Sequence, residues 1–198
     1  HEDNLLSVYA NLDTDTLTVT DKTDVQIEAG STLASTGNTG WQDEQSYLEF
    51  QIIDTKNNSA INPKVFMART EDEIPLTLSG IYLSNKNGDF YDLNTHKTFS
   101  SGLYRIYQKR NTKAAPYTTT IMINGVEVDR IVYDLIVQEN GKSCVNGKKK
   151  YTSSDVYPDE KLQLLGEAML TPGKTTLGLV TTDIHGNKKQ LNYSISIY

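Results

Sequence analysis

Apolar and polar residues alternate with a period of two along much of this chain. In LLSVYANL, Leu6, Val8, Ala10 and Leu12 fall on one face and Ser7, Tyr9 and Asn11 on the other. TLTVT (Thr16 to Thr20) alternates likewise, and SYLEFQII sets Leu48, Phe50 and Ile52 against Tyr47, Glu49 and Gln51. Period two is the signature of a strand with one buried face. VQIEAGSTLASTGNTG reads as strand, turn, strand, turn, with Gly30, Gly37 and Gly40 at the turns. Further on, IPLTLSGIYL, GLYRIYQK, YTTTIMINGVEV, RIVYDLIV, TTLGLVTTD and QLNYSISIY are predicted strands. Asn124-Gly125 between two alternating runs predicts a type I′ hairpin, and DIHGNKKQ a second hairpin near the end. KLQLLGEAML suits a short helix or a strand equally.

The acidic, turn-prone ARTEDEIP (Ala68 to Pro75) divides this pattern, and Pro75 is expected to begin an edge strand. The expected organisation is one domain over residues 1–70 and another over 75–198. Regularly spaced short strands over the second predict an immunoglobulin-like β-sandwich. The fold class is all-β.

Composition narrows the picture. The chain has 198 residues, 37% hydrophobic and 22% charged, which suits one large domain or two small ones. Twelve tyrosines add to the strand signal. No apolar run approaches the roughly 18 residues a membrane-spanning helix needs. The opening HEDNLLSVY lacks the basic region and long apolar stretch of a signal peptide. A net charge of −6 without a basic stripe argues against nucleic-acid binding, which works by displacing phosphate counterions. The one basic run, GKKKY (Gly147 to Tyr151), reads as a solvated hairpin tip. The single cysteine, Cys144, excludes an intrachain disulfide and a cysteine-rich zinc site.

Three pieces of the first 67 residues, in order and at matching spacing, carry a family resemblance. SVYANL resembles a Tyr-x-His-Leu strand. VQIEAGSTLASTGNTG resembles the glycine-rich segment that follows such a strand. SYLEFQIIDTKNNSAINPKVFM resembles a His-Leu-His-Phe strand with its Asn-Pro-aromatic tail. Together they resemble the C-terminal half of a lysostaphin-type (LytM-like) zinc endopeptidase domain, over roughly a third of the chain. The resemblance implies histidines at three positions. Here they are Asn11, Tyr47 and Glu49. It assigns Glu49 to a zinc-ligand position, and Asn11 and Tyr47 to the catalytic pair.

Glutamate can ligate zinc. Asparagine cannot act as a base, and tyrosine, with an ordinary pKa near 10, is a poor one at neutral pH. Losing general acid–base help costs about 10²–10⁴ in rate. The expectation is therefore a pseudo-enzyme that needs no cofactor. The resemblance also places the family's other two zinc ligands upstream of His1. An upstream segment or a second chain is thus expected to complete the N-terminal sheet, whose edge would otherwise be exposed.

Trp41, after the Gly-x-Thr-Gly turn, is a candidate lining residue of a vestigial groove with Asn11, Tyr47, Glu49 and Gln51. His96 and His185 sit in polar turns without ligand spacing, and His1 is given no role. No Walker-type phosphate loop, Gly-x-Ser-x-Gly elbow or Cys/His pair is present.

The resemblance implies a non-catalytic protein of the periplasm or outer envelope, with peptidoglycan or an envelope protein as partner. Two other readings remain: an active zinc endopeptidase that draws ligands from upstream, and an adhesion module in which the sandwich binds. The ending TTDIHGNKKQLNYSISI loosely resembles bacterial immunoglobulin-like repeats.

Overall fold

Three short antiparallel strands, β1 (Leu5–Ala10), β2 (Glu49–Asp54) and β3 (Ser59–Ile61), form the ladder of the first part of the chain. The computed structural model describes residues 1, 4–19, 26–39, 46–68, 74–111 and 114–198. These divide into two units, His1–Pro63 and Lys64–Tyr198. The expected linker, Ala68 to Pro75, falls within the second unit, and residues 69–73 of it lie outside the described residues.

In the first unit the register pairs Tyr9 with Phe50 and Ser7 with Ile52, while Ala10 faces Glu49 and Val8 faces Gln51. The apolar stripe of β2 thus shares a face with the polar stripe of β1. Tyr9 and Phe50 stack with ring centroids 4.8 Å apart.

Three strands expected in this unit do not form ladders among the described residues. TLTVT does not extend: Thr14–Thr16 is a 3-10 turn capped by Asp13, whose Oδ1 accepts from the Asp15 amide at 3.0 Å. Of VQIEAGSTLASTGNTG, the described part makes turns and one isolated bridge, Leu12 to Thr36. Short polar side chains add to the main-chain bonds from the Asp13 amide to the Ser35 carbonyl and from the Thr18 amide to the Leu33 carbonyl. Thr18 Oγ1 donates to the Thr32 and Leu33 carbonyls, and Thr16 Oγ1 accepts from the Ser35 amide. The local bonds of the turn, Asp13 Oδ1 to the Asp15 amide and Thr16 Oγ1 to the Asp13 carbonyl, compete with a ladder.

The second unit is a two-sheet sandwich. The smaller sheet holds β4 (Ile81–Ser84), β5 (Phe90–Asp92), β7 (Gly102–Lys109) and β12 (Leu162–Leu170), in the order β12-β7-β4-β5. The larger holds β6 (Thr98–Phe99), β8 (Thr118–Ile123), β9 (Val126–Glu139), β13 (Gly173–Thr182) and β14 (Lys188–Ile197), in the order β9-β8-β13-β14-β6. The strands β10 (Lys142–Asn146) and β11 (Lys150–Thr152) extend it beyond β9. A one-turn helix, α1 (Ser153–Val156), follows β11. The chain alternates between sheets as in an immunoglobulin-like sandwich with extra strands on the larger sheet.

KLQLLGEAML is strand β12, not helix. Pro75 does not begin a strand; the first ladder of this unit starts at Ile81, after Gly80 with φ 59°. VEV and RIVYDLIV are one strand, β9. Asn124 and Gly125 take φ of 51° and 82°, as a type I′ turn requires. Asn140 and Gly141, at 51° and 73°, make the same turn between β9 and β10.

Two apolar clusters hold the sandwich. One lies between the sheets and includes Ile81, Leu83, Phe99, Ile106, Ile121, Leu165, Leu177 and Ile195. The other gathers Tyr107, Ile131, Tyr151, Val156 and Leu164. A bulge in β12 serves both. Leu164 pairs with Tyr107 and Gly166 with Ile106, so Leu165 is the extra residue. Leu164 and Leu165 bury in different clusters, as the consecutive Tyr107 and Ile106 of β7 do.

Candidate functional site

Asn11 ends β1 with φ 60°, a left-handed conformation that asparagine tolerates better than most residues. It is 6% exposed, and its main-chain and side-chain groups are both engaged. Nδ2 donates to the Tyr47 carbonyl at 2.7 Å, and the Asn11 carbonyl accepts from the Gly37 amide at 2.7 Å. Gly37 has no room for a side chain: a Cβ there would sit 2.5 Å from Asp13 N and 2.6 Å from the Leu12 carbonyl carbon. Thr39 Oγ1 donates to the Leu12 carbonyl at 3.1 Å. The glycine-rich segment is therefore pinned to the end of β1 through its main chain.

Glu49 and Gln51 come together on β2, where Gln51 Nε2 donates to Glu49 Oε1 at 2.9 Å. Both are exposed and lie opposite Ala10 and Val8. Tyr47 differs: its hydroxyl is buried with no hydrogen-bond partner among the described residues. Trp41 lies outside the described residues. Of the five candidates, Glu49 and Gln51 thus touch directly, and Asn11 meets Tyr47 through a main-chain carbonyl. This arrangement offers hydrogen bonds and one exposed carboxylate. Asn11 supplies a scaffold bond at the position the resemblance gives to a catalytic histidine.

The histidines are scattered. His1 Nε2 meets Ser7 Oγ at 2.9 Å, and His96 stacks between Tyr91 and Phe99 at 4.8 and 5.0 Å. His185 sits in a turn held by Asp183, whose carboxylate accepts the His185 and Asn187 amides at 2.9 Å. Among the described residues no three His, Cys, Asp or Glu side chains are grouped to hold a metal ion. No helix among them is long and apolar enough to cross a membrane; β-barrel spans are a separate matter.

Sequence reasoning missed a second polar centre, in the sandwich. Asp129 is 3% exposed and Glu167 5%. Asp129 Oδ2 accepts from the Tyr151 hydroxyl at 2.5 Å and the Glu167 amide at 2.8 Å, while Oδ1 accepts from the Lys148 amide at 3.0 Å. Glu167 Oε1 takes Arg105 Nε at 3.0 Å and Lys149 Nζ at 2.8 Å. Arg105 reaches on to Asp155 at 3.1 Å. Asp155 closes a capping box with Thr152 at the start of α1. Burial opposes ionisation of Asp155, but the Thr152 bonds and Arg105 hold its carboxyl below the usual range. Burial first, then the bond to Asp129, pushes the Tyr151 hydroxyl well above an ordinary tyrosine.

This centre completes an edge. β12 pairs with β7 alone, and its free groups find side chains from the larger sheet. Asp129 takes the Glu167 amide, and Thr119 Oγ1 donates to the Leu165 carbonyl at 2.8 Å. Gly166, with φ 150°, makes room, since a Cβ there would meet Asp129 Oδ2 at 2.9 Å and Ile121 Cγ1 at 2.8 Å. The basic run is the β10–β11 turn, as expected, yet Lys149 and the Lys148 amide are tied into this network. One signal was legible: Glu167 stands alone among apolar residues in LLGEAML.

A family model matches residues 75–198, more than half of the chain and the sandwich almost entire. The chain belongs to that family, which is uncharacterised. No curated protein and no solved structure matches the chain.

Proposed function

We propose that this chain is a non-catalytic protein of the bacterial cell envelope. Its first unit is a degenerate lysostaphin-type domain that binds peptidoglycan or an envelope protein, and the sandwich is its rigid support. The observation that carries this reading is the role of Asn11. At the position the resemblance gives to a catalytic histidine stands a residue with left-handed backbone, its amide fixed to the Tyr47 carbonyl and its carbonyl to Gly37. A side chain so committed holds a loop. It cannot shuttle protons.

Glu49 and Gln51 supply exposed acceptor and donor groups suited to a peptide. The location outside the cytoplasm rests on the resemblance. An upstream segment or a second chain that completes the N-terminal sheet belongs to the same reading.

Co-sedimentation with purified peptidoglycan, run beside a muropeptide-cleavage assay and elemental zinc analysis, tests the proposal. Binding without cleavage or stoichiometric zinc is expected. Cleavage accompanied by one tightly held zinc would overturn it and favour the active endopeptidase. Binding by residues 75–198 alone would move the partner site to the sandwich and favour an adhesion module.

A further inference from the structure

The sandwich treats the two edges of β14 unequally. One pairs with β13 along all 10 residues without a shift in register, while the other meets β6 only at Ser196 and Ile197. On that second side the Ser196 amide donates to the Lys97 carbonyl at 2.8 Å. Main-chain groups alternate sides along a strand. The amides and carbonyls of Lys188, Gln190, Asn192 and Ser194 therefore point the same way as those of Ser196, away from β13. Among the described residues none of these four has a main-chain hydrogen-bond partner on that side.

The side chains in the middle of β14 lean away from this edge. Gln190 Nε2 donates to Asn192 Oδ1 at 3.3 Å, and that oxygen lies 3.1 Å from where a Gly178 Cβ would stand. Asn192 thus leans over β13, whereas Asp129 and Thr119 take the free groups of the β12 edge. Proline, a bulge or lysine usually blunts a long edge. β14 has no proline and no bulge against β13, and its two lysines, Lys188 and Lys189, stand together at its start. From Gln190 to Ser194 the edge residues are exposed and uncharged.

We propose that this edge pairs with the same edge of a second copy of the chain, antiparallel about a two-fold axis at Leu191. Charge selects the register. An axis near the start of β14 would set lysine against lysine, and like charges directly opposite destabilise a ladder. With the axis at Leu191, Lys188 faces Ser194 and Gln190 faces Asn192 of the second copy, each pair exchanging main-chain bonds. Between them Lys189 faces Tyr193, and no two charges of one sign oppose. Leu191, half-buried against the core, meets its own copy and extends the apolar layer. The turn from Asp183 to Asn187 carries the chain back to β13 just before Lys188, so the second strand stops short of β6. The edge is thus complementary to its own reverse, which is the argument for a second copy over a foreign strand.

Size-exclusion chromatography with light scattering, on the whole chain at rising concentration, tests this. A reversible dimer is expected. Asn192→Pro removes an amide that faces the edge and spares every bond to β13. It should therefore stay monomeric, with an unchanged unfolding midpoint at concentrations where the native chain is also monomeric. Ser194→Glu sets a carboxylate against Lys188 of the second copy and should tighten the dimer about fivefold; Ser194→Lys should loosen it by a similar factor. A native chain that is monomeric at every concentration overturns the proposal, as does a dimer indifferent to both Ser194 variants. So does a dimer that survives Asn192→Pro, which would place the contact elsewhere, as at the β1 edge. If Asn192→Pro fails to fold, the native chain and the two Ser194 variants decide alone.

Discussion

The two units of this chain hold their backbones in different ways. In the first, Ile52 is the one buried apolar side chain among the described residues, and Asn11 and Ser59 are its buried polar residues. Its loops are tied by Asp13, Thr16, Thr18 and Asn11 acting on main-chain groups. In the sandwich, two apolar clusters carry the fold, and polar residues enter where a ladder ends, as Asp129 does at the β12 edge. Side-chain-to-backbone bonds contribute about 0.5–1.5 kcal/mol each, whereas a buried leucine or isoleucine adds about 1.5–3 kcal/mol. The lesson is that the first unit owes its shape to side-chain bonds on the main chain and the second to packing.

The sharpest way to break this comparison is a cavity in the sandwich. Leu179→Ala should cost about 2–5 kcal/mol, read as a lower midpoint in denaturant unfolding of the whole chain. A cost below about 1 kcal/mol would mean that the clusters are not what holds this unit.

Next comes the edge network. Asp129→Ala leaves the Tyr151 hydroxyl and the Glu167 and Lys148 amides without their acceptor, and a loss of about 3 kcal/mol is expected. Hydrogen exchange should locate that loss at β11, α1 and β12 first.

Gly37→Ala tests the first unit alone. Its Cβ would meet backbone at 2.5 Å, so the loop must move off β1, and exchange protection should fall at Leu12 and Gly37. Unchanged protection in the sandwich would sharpen the contrast between the units.

The pH dependence is milder. The Asp155 carboxyl is held below its unfolded value near 3.9, so its contribution is complete above that value and fades as pH falls through the lower folded value. Asp155→Asn should flatten the acid limb of an unfolding-midpoint titration. On the alkaline side Tyr151 is raised by burial, so the folded state disfavours its ionisation. Stability should therefore decline above about pH 10, and ultraviolet titration should show this tyrosine ionising on unfolding.

The smallest expected effect is at the surface. Met169 and Leu103, cross-strand neighbours 56% and 42% exposed, should tolerate serine within about 0.5 kcal/mol.

Legibility from sequence followed the same division. GLYRIYQK, TTLGLVTTD and QLNYSISIY are strands because alternation and β-branched or aromatic residues point the same way as the packing. TLTVT misled, because Asp13 caps a 3-10 turn that the Thr16 hydroxyl closes on the Asp13 carbonyl, and the turn pre-empts a ladder. Asn140-Gly141 carried the same hairpin signal as Asn124-Gly125, though it follows the less regular end of β9. KLQLLGEAML could not be resolved by periodicity, because the Leu165 bulge breaks the alternation. In the candidate site, the Glu49–Gln51 pair was legible as i, i+2 neighbours on a strand. The bond from Asn11 to Tyr47, 36 residues away, was not.

What the sequence by itself determined is local: the all-β class, the type I′ turn that Asn124-Gly125 allows, and the solitary acidic residue in β12. Each follows from backbone preference or from which face of a strand is apolar. The tertiary structure alone decided that Asp129 meets the Glu167 amide, 38 residues on, and that Arg105 meets Glu167, 62 residues on. It also decided that Lys149, though exposed, reaches Glu167. An unpaired strand edge can be satisfied by any nearby acceptor. Which one arrives depends on how two sheets pack, and that is a property of the whole fold.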